Sequence, residues 1–87
     1  MIDVELFGIP RHRAGVAKTT VSASRLAEAI VELAGRYSDL NEIGLGPDGR
    51  LGGSVAVNLN GDRFITDPDT PLADGDVLLI MSADAGG

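Results

Sequence analysis

The apolar residues of this chain alternate as in β-strands except in one segment, where they recur at helical spacing. This single change of period is the feature that most limits the possible fold. Ile2, Val4 and Leu6 alternate with charged residues, which is typical of a strand with one buried face. From Ser24 to Tyr37 the apolar residues instead recur every three to four positions, which predicts one amphipathic helix with Ser24 as its N-cap. After the helix the alternation returns. A single helix can cover only one face of a sheet.

The other segments divide into strands and the loops between them, because glycine, proline and aspartate separate the runs of apolar and β-branched residues. They are a strand at 16–21 after a basic loop at 8–15, a glycine-rich loop at 38–53, a strand at 55–59, a short strand at 64–65 and a last strand at 77–81. Asn60-Gly61 predicts a tight hairpin turn. The order predicts an α+β domain with four or five strands.

Composition excludes several classes of protein. The 87 residues contain no cysteine, which excludes a disulfide framework, a cysteine-ligated zinc site and a thiol nucleophile. The formal net charge of −6 argues against a nucleic-acid partner, because phosphate contacts need clustered lysine and arginine. No apolar run approaches the ~20 residues of a membrane span, and the first residues do not resemble a signal peptide. We therefore expect a cytoplasmic protein that does not cross a membrane.

Three motifs that could carry chemistry are better explained as turns or surface. Residues 44–49 match G-x-G-x-x-G, but a dinucleotide-binding loop follows a strand and opens a helix, whereas here a helix precedes it. The aspartates within 67–76 lack the glycine of a calcium-binding loop and are interrupted by two prolines. His12 has no second ligand at a suitable spacing. We therefore expect no bound cofactor, no metal and no catalytic constellation of side chains.

The sequence ends in Gly86-Gly87, a pair that suits one specific chemistry. Two residues without a Cβ can enter a narrow cleft, and they would present the α-carboxylate as the reacting group. Residues 82–87 extend to at most ~20 Å, enough to reach a neighbouring active site. A carboxylate becomes an acyl donor only after activation, so a partner enzyme that uses ATP would be required. A chance pair of glycines is the alternative.

The last strand offers a surface beside this tail. If Leu78 and Ile80 face the helix, Val77, Leu79 and Met81 point to the face that the helix leaves open. Apolar residues on an exposed sheet face are typical of a docking surface. The alternative is a strand that loops of the same chain cover on both faces.

These features together resemble the MoaD/ThiS group of ubiquitin-like sulfur carriers. The matching segments are Val4-Glu5-Leu6-Phe7 with Ala14-Gly15, Arg36-Tyr37-Ser38-Asp39-Leu40, Asp48-Gly49-Arg50-Leu51, the stretch 55–61, the stretch 69–76 and the terminal glycines. The similarity is greatest to MoaD-like carriers, including those that serve cysteine synthesis. It implies a β-grasp fold, with a mixed sheet of four to five strands and one main helix on one face. Residues 1–81 would form the domain and 82–87 a flexible tail.

The resemblance also implies a mechanism that depends on partners. An E1-like adenylyltransferase would use ATP to adenylate Gly87, and a sulfur donor (a sulfurtransferase, a rhodanese or sulfide) would convert it to a thiocarboxylate. An acceptor enzyme, such as the large subunit of molybdopterin synthase, would then take the sulfur. The carrier itself would not be an enzyme, and Gly86 would keep its tail slim. The residues expected to bind partners are Val77, Leu79, Met81, Asp84 and Ala85.

The segment before the terminal glycines departs from the family pattern and leaves the pathway open. Carriers of this group commonly have proline and an apolar residue there, whereas this chain has Ser82, Ala83 and Asp84. Molybdopterin synthesis is the first expectation for the fate of the sulfur. Two other functions also stay open: a ubiquitin-like modifier joined through Gly87 to lysines of other proteins, and a β-grasp interaction module whose tail does no chemistry.

Overall fold

A computed structural model describes residues 1–83 and contains one mixed sheet of five strands. The strands are β1 (Ile2–Leu6), β2 (Lys18–Val21), β3 (Val55–Leu59), β4 (Arg63–Ile65) and β5 (Val77–Ser82), and the α-helices are α1 (Gly8–Ala14) and α2 (Leu26–Arg36). The strand order across the sheet is β2-β1-β5-β3-β4. β1 and β5 run parallel, and the other neighbouring strands run antiparallel. This arrangement is the β-grasp fold, so the predicted fold class is confirmed.

The hydrophobic core lies between α2 and one face of the sheet. α2 contributes Leu26, Ile30 and Leu33, which recur at spacings of four and three and are each at most 1% exposed. Full burial of such a side chain stabilises the fold by ~1.5–3 kcal/mol. The sheet contributes alternate residues of every strand, namely Ile2, Val4, Leu6, Val21, Val55, Val57, Leu59, Ile65, Leu78 and Ile80.

The start of α2 differs from the prediction. Its N-cap is Arg25, so the prediction of Ser24 as N-cap is wrong. The first two amides of the helix donate instead to the carbonyl oxygens of Thr70 and Pro68. Ser24 donates from its N–H and its hydroxyl to Glu28 Oε1, each at 2.8 Å, and these bonds hold the pKa of Glu28 below its ordinary value. A carboxylate in the first turn also interacts favourably with the helix dipole.

The connection from β1 to β2 contains α1, where the sequence predicted a basic loop. Gly8 (φ 57°) and Gly15 (φ 79°) adopt left-handed conformations at the two ends of this helix. Pro10 is buried in the first turn, where its missing N–H costs nothing. β2 accordingly begins at Lys18 rather than at residue 16. His12 is exposed on α1 rather than in a loop.

The glycine-rich segment after α2 folds as a short 3-10 helix (Ser38–Ile43) followed by turns. Leu40 and Leu45 are fully buried and fix the segment to the core. Within the G-x-G-x-x-G match, the amides of Gly46 and Gly49 both donate to carbonyl oxygens of the same loop at 3.0 Å. These amides are therefore already occupied, which agrees with the interpretation as a turn.

The hairpin between β3 and β4 forms as predicted. Asn60 (φ 60°) and Gly61 (φ 72°) both have the positive φ that a type I′ turn requires at its two central positions. Asp62 N–H donates to the carbonyl oxygen of Leu59 at 3.0 Å. The ladder then has Leu59 opposite Arg63, so Asp62 is one residue more than a two-residue hairpin loop contains.

Candidate functional site

β5 divides its side chains between the two faces of the sheet. Leu78 and Ile80 are buried in the core with α2, as the alternation predicts. Val77, Leu79 and Met81 are half-buried and point to the opposite face. We call this opposite face, which α2 does not cover, the open face.

β3 and β4 extend the apolar part of the open face. Ala56 lies opposite Met81, Asn58 lies opposite Leu79, and Phe64 lies opposite Asn58. Residues directly opposite each other in a ladder share a face of the sheet. Phe64 is 59% exposed. The open-face patch, as we call it, consists of Ala56, Phe64, Val77, Leu79 and Met81.

Phe64 is a candidate site residue that the sequence analysis missed. The three-residue strand β4 is too short for its own alternation to assign faces. The Asn60-Gly61 turn could not have found it, because a two-residue hairpin loop pairs Leu59 with Asp62 and would place Phe64 opposite Val57 on the core face; the observed ladder has one more residue in the loop. With Leu59 opposite Arg63, Phe64 falls opposite Asn58 on the open face.

Apolar side chains of the β1–α1 junction lie near the end of β5. β1 runs parallel to β5, so α1 begins where β5 ends, and Phe7 N–H donates to the carbonyl oxygen of Ile80 at 2.9 Å. Phe7 and Ile9 are 43% and 53% exposed. Arg11, which follows on α1, is also exposed. The end of β5 therefore combines exposed apolar and basic side chains.

The ladder continues past the predicted end of the domain at residue 81. Ser82 pairs with Val55, and Ala83 N–H donates to the carbonyl oxygen of Ser54 at 3.0 Å. The remaining predicted site residues lie outside the described residues. They are Asp84, Ala85, Gly86 and Gly87.

β1 gives the open face a charged border. Asp3 lies opposite Val77, and Glu5 lies opposite Leu79. Lys18 of β2 lies opposite Glu5 on the other side. Asp3, Glu5 and Lys18 line a shallow groove of about 470 Å³, which Val77 of the patch also borders. The open face is therefore apolar over β5, β3 and β4 and charged over β1 and β2.

A larger cavity of about 640 Å³ lies on the outer side of α2, away from the open face. Four of its charged groups pair with one another: Arg25 lies 3.7 Å from Glu28, and Arg50 lies 3.9 Å from Asp48. Nothing in its lining aligns a nucleophile with a base. We therefore assign the candidate site to the open face.

Two further searches of the part of the chain that the structure describes were negative. Residues 1–83 contain no group of three or more histidine, aspartate or glutamate side chains arranged to hold a metal ion. In the same residues, no helix has the length and apolar character needed to span a membrane.

Comparison with known proteins identifies the family. The sequence profile of the ThiS family matches residues 4–87. The chain belongs to the ThiS family. No curated protein matches this ThiS-family chain in sequence.

Solved structures resemble this ThiS-family chain over almost its whole length. Small archaeal modifier protein 1 from Methanosarcina acetivorans has a TM-score of 0.79 and 25% identity, with 99% of this chain and 95% of that chain covered. The Amycolatopsis orientalis BexX/CysO complex gives 0.79, 22% identity and full coverage of both chains, which supports the fold. The complex of subunits 1 and 2 of the molybdopterin-converting factor from Helicobacter pylori gives 0.66 and 27% identity, with 99% and 97% covered. The chain is thus one of the ubiquitin-like sulfur carriers and related small modifiers.

Proposed function

We propose that this ThiS-family protein is a sulfur carrier whose Gly87 carboxylate is adenylated by an E1-like enzyme and then converted to a thiocarboxylate. The observation that supports the proposal is the open-face patch, because three of its five residues lie on β5, the strand that precedes the Gly86-Gly87 segment in the chain. A partner that docks on this patch is held beside the reacting terminus. The carrier supplies recognition and the acyl group, and its partners supply the catalysis.

The chemistry takes place in two steps on the same carbonyl group. A carboxylate oxygen of Gly87 attacks the α-phosphorus of ATP, and pyrophosphate leaves. A hydrosulfide equivalent from the sulfur donor then attacks the carbonyl carbon, and AMP leaves with the electrons of the C–O bond. The thiocarboxylate that remains is the form from which an acceptor enzyme takes sulfur. Neither step needs a side chain of the carrier, which agrees with the absence of cysteine.

The geometry of the sheet limits how such a partner binds. Ala83 is fixed to Ser54, and the four residues beyond it extend to at most about 13 Å. The adenylation site of the partner must therefore open within that distance of the end of β5. Phe7 and Ile9 adjoin this end and enlarge the apolar contact area.

Molybdopterin synthesis is the first candidate for the pathway that receives the sulfur. It is supported by the 27% identity to subunit 1 in the Helicobacter pylori complex, in which the small chain is bound to subunit 2. The acceptor is then a molybdopterin synthase large subunit that docks on the same open face. Asp84 requires a polar or basic groove in that acceptor.

A second candidate function is that of a protein modifier joined through Gly87 to lysine side chains. The likeness to small archaeal modifier protein 1 from Methanosarcina acetivorans, at 25% identity, favours it. Both functions share the adenylation step and differ in the nucleophile that follows. Lysine-linked adducts of higher mass in cells support the modifier, whereas a terminal thiocarboxylate supports the carrier.

Deletion of Gly87 tests the adenylation step. The E1-like enzyme of the same organism should catalyse ATP–pyrophosphate exchange with the wild-type chain and lose that activity with the deletion variant. Because the core cluster among the described residues ends at Ile80, the urea unfolding transition of the variant should match that of the wild type. Exchange that persists after the deletion contradicts the proposal.

A further inference from the structure

Asn58 inserts an amide into the middle of the open-face patch. The side chain points to the open face, because Asn58 lies opposite Leu79 on β5 and opposite Phe64 on β4. Asn58 is only 8% exposed. Among residues 1–83, its Oδ1 is a buried side-chain oxygen that accepts no hydrogen bond.

An amide in this environment opposes the stability of the fold. Asparagine is depleted in strands, and a buried acceptor without a partner costs the free energy of its desolvation. Asn60, two residues further along, behaves differently: its Nδ2 donates to Asp76 at 3.0 Å, and its Oδ1 accepts from Val77 N–H at 2.8 Å. Asn60 therefore has a structural role, whereas among residues 1–83 the Oδ1 of Asn58 has no such partner.

Asn58 belongs to a row of residues that crosses the open face. In strand order the row is Lys18, Glu5, Leu79, Asn58 and Phe64. Neighbouring strands lie ~4.8 Å apart, so the Glu5 carboxylate and the Asn58 amide flank the Leu79 side chain on its two sides. A carboxylate and an unsatisfied amide oxygen both attract a cationic N–H donor. Asp3, on the same face, adds a second carboxylate.

We infer that Asn58 Oδ1 accepts a hydrogen bond from an arginine side chain of the protein partner that docks on the open face. This inference rests on the proposed function and adds a contact that determines specificity. The aliphatic part of the arginine packs on Leu79, and its guanidinium lies between Glu5 and Asn58. Arginine fits this surface better than lysine, because its guanidinium is more weakly hydrated and carries five donors.

The oxygen becomes accessible without a change in the backbone. A half-turn about χ2 exchanges the positions of Oδ1 and Nδ2 in the asparagine side chain. The ring of Phe64, which is 59% exposed, can move aside during docking because it does not belong to the core. In that orientation the docked arginine satisfies Oδ1, and Nδ2 takes the buried position.

The variant Asn58→Leu tests this inference by comparing stability with binding. Removal of the unsatisfied amide should raise the melting temperature by about 4 °C or more. The same change should weaken binding to the E1-like enzyme of the same organism by roughly tenfold or more in Kd, as measured by titration calorimetry. Thr20→Val is the matched control, because it makes an isosteric polar-to-apolar change on the same face outside the patch. It should leave the Kd unchanged.

A second measurement uses the wild-type chain and does not depend on how the variant folds. The ¹³Cγ resonance of Asn58 should move downfield when the enzyme binds, because a hydrogen bond to Oδ1 deshields the carbonyl carbon. An unchanged resonance, an unchanged Kd for Asn58→Leu, or a lower melting temperature for that variant overturns the inference. A wild-type chain that binds the enzyme and shows this shift but gains no sulfur overturns the proposed function instead.

Discussion

Replacement of Phe64 by alanine should separate docking from folding. Phenylalanine has a side-chain area of ~150–250 Å², and Phe64 is 59% exposed, so roughly 120 Å² remains for a partner to cover. At ~25 cal/mol per Å², burial of that area in a complex stabilises it by about 3 kcal/mol, or about a hundredfold in Kd. The free energy of unfolding should change by less than about 1 kcal/mol, because the ring does not belong to the core cluster.

The assay for Phe64→Ala is titration calorimetry with the E1-like enzyme, combined with urea unfolding of the free carrier. Val31→Ala is the matched control, because Val31 is 45% exposed but lies on the outer side of α2. That control should leave the Kd unchanged. A Kd for Phe64→Ala within about twofold of the wild-type value would refute the assignment of the docking site to the open face. A loss of several kcal/mol in unfolding free energy would show instead that the ring supports the core.

Two further predictions concern the stability of the fold. Gly49 has φ +83°, and an added Cβ would lie 3.0 Å from Cβ and from the carbonyl oxygen of Ala27, so Gly49→Ala should cost roughly 2–4 kcal/mol in urea unfolding. Gly75 has φ +92° and open space around it, so Gly75→Ala should cost only the strain of the left-handed backbone, about 1–2 kcal/mol. Equal losses for the two variants would contradict the proposed clash between a Cβ at residue 49 and Ala27. Hydrogen bonds from Ala73 N–H and from the Asn60 side chain hold the pKa of Asp76 below its ordinary value of 3.8. The carboxylate therefore stabilises the fold above pH 3.8, and this stabilisation is lost as the pH falls through the lowered pKa of the folded state. Asp76→Asn should therefore be less stable than the wild type at neutral pH, and thermal unfolding should show the difference shrinking in acid; a difference that does not depend on pH would contradict this role.

The parts of the fold that could be predicted from the sequence are those in which one chain segment reveals its own buried face. Val4 and Leu6 alternate with acids, and Ile30 and Leu33 recur at helical spacing, so β1 and α2 were both predicted. The seven residues of α1 are too few to show a period, and Gly8 and Pro10 are usually breakers. Gly8 and Pro10 can each stand in the first turn of a helix, but only the packing of α1 against β5 shows that they do so here.

The candidate site was only partly predictable for a related reason. The alternation within β5 was enough to assign Val77, Leu79 and Met81 to one face. The alternation in residues 55–59 likewise assigned Asn58 to the open face, whereas Phe64 joins that face only through the register of β3 with β4. That Asn58 lies beside Leu79 depends on the β3–β5 pairing, which joins segments about twenty residues apart. The unsatisfied amide could not be predicted at all, because its burial depends on the side chains around it in three dimensions.

The most direct test of the central claim is the intact mass of the carrier after incubation with the E1-like enzyme, ATP and sulfide. Conversion of the Gly87 carboxylate to a thiocarboxylate replaces one oxygen by sulfur, so we predict a gain of about 16 Da that fragmentation assigns to the terminal residue. An unchanged mass, under conditions in which the enzyme binds the carrier and consumes ATP, would contradict the account.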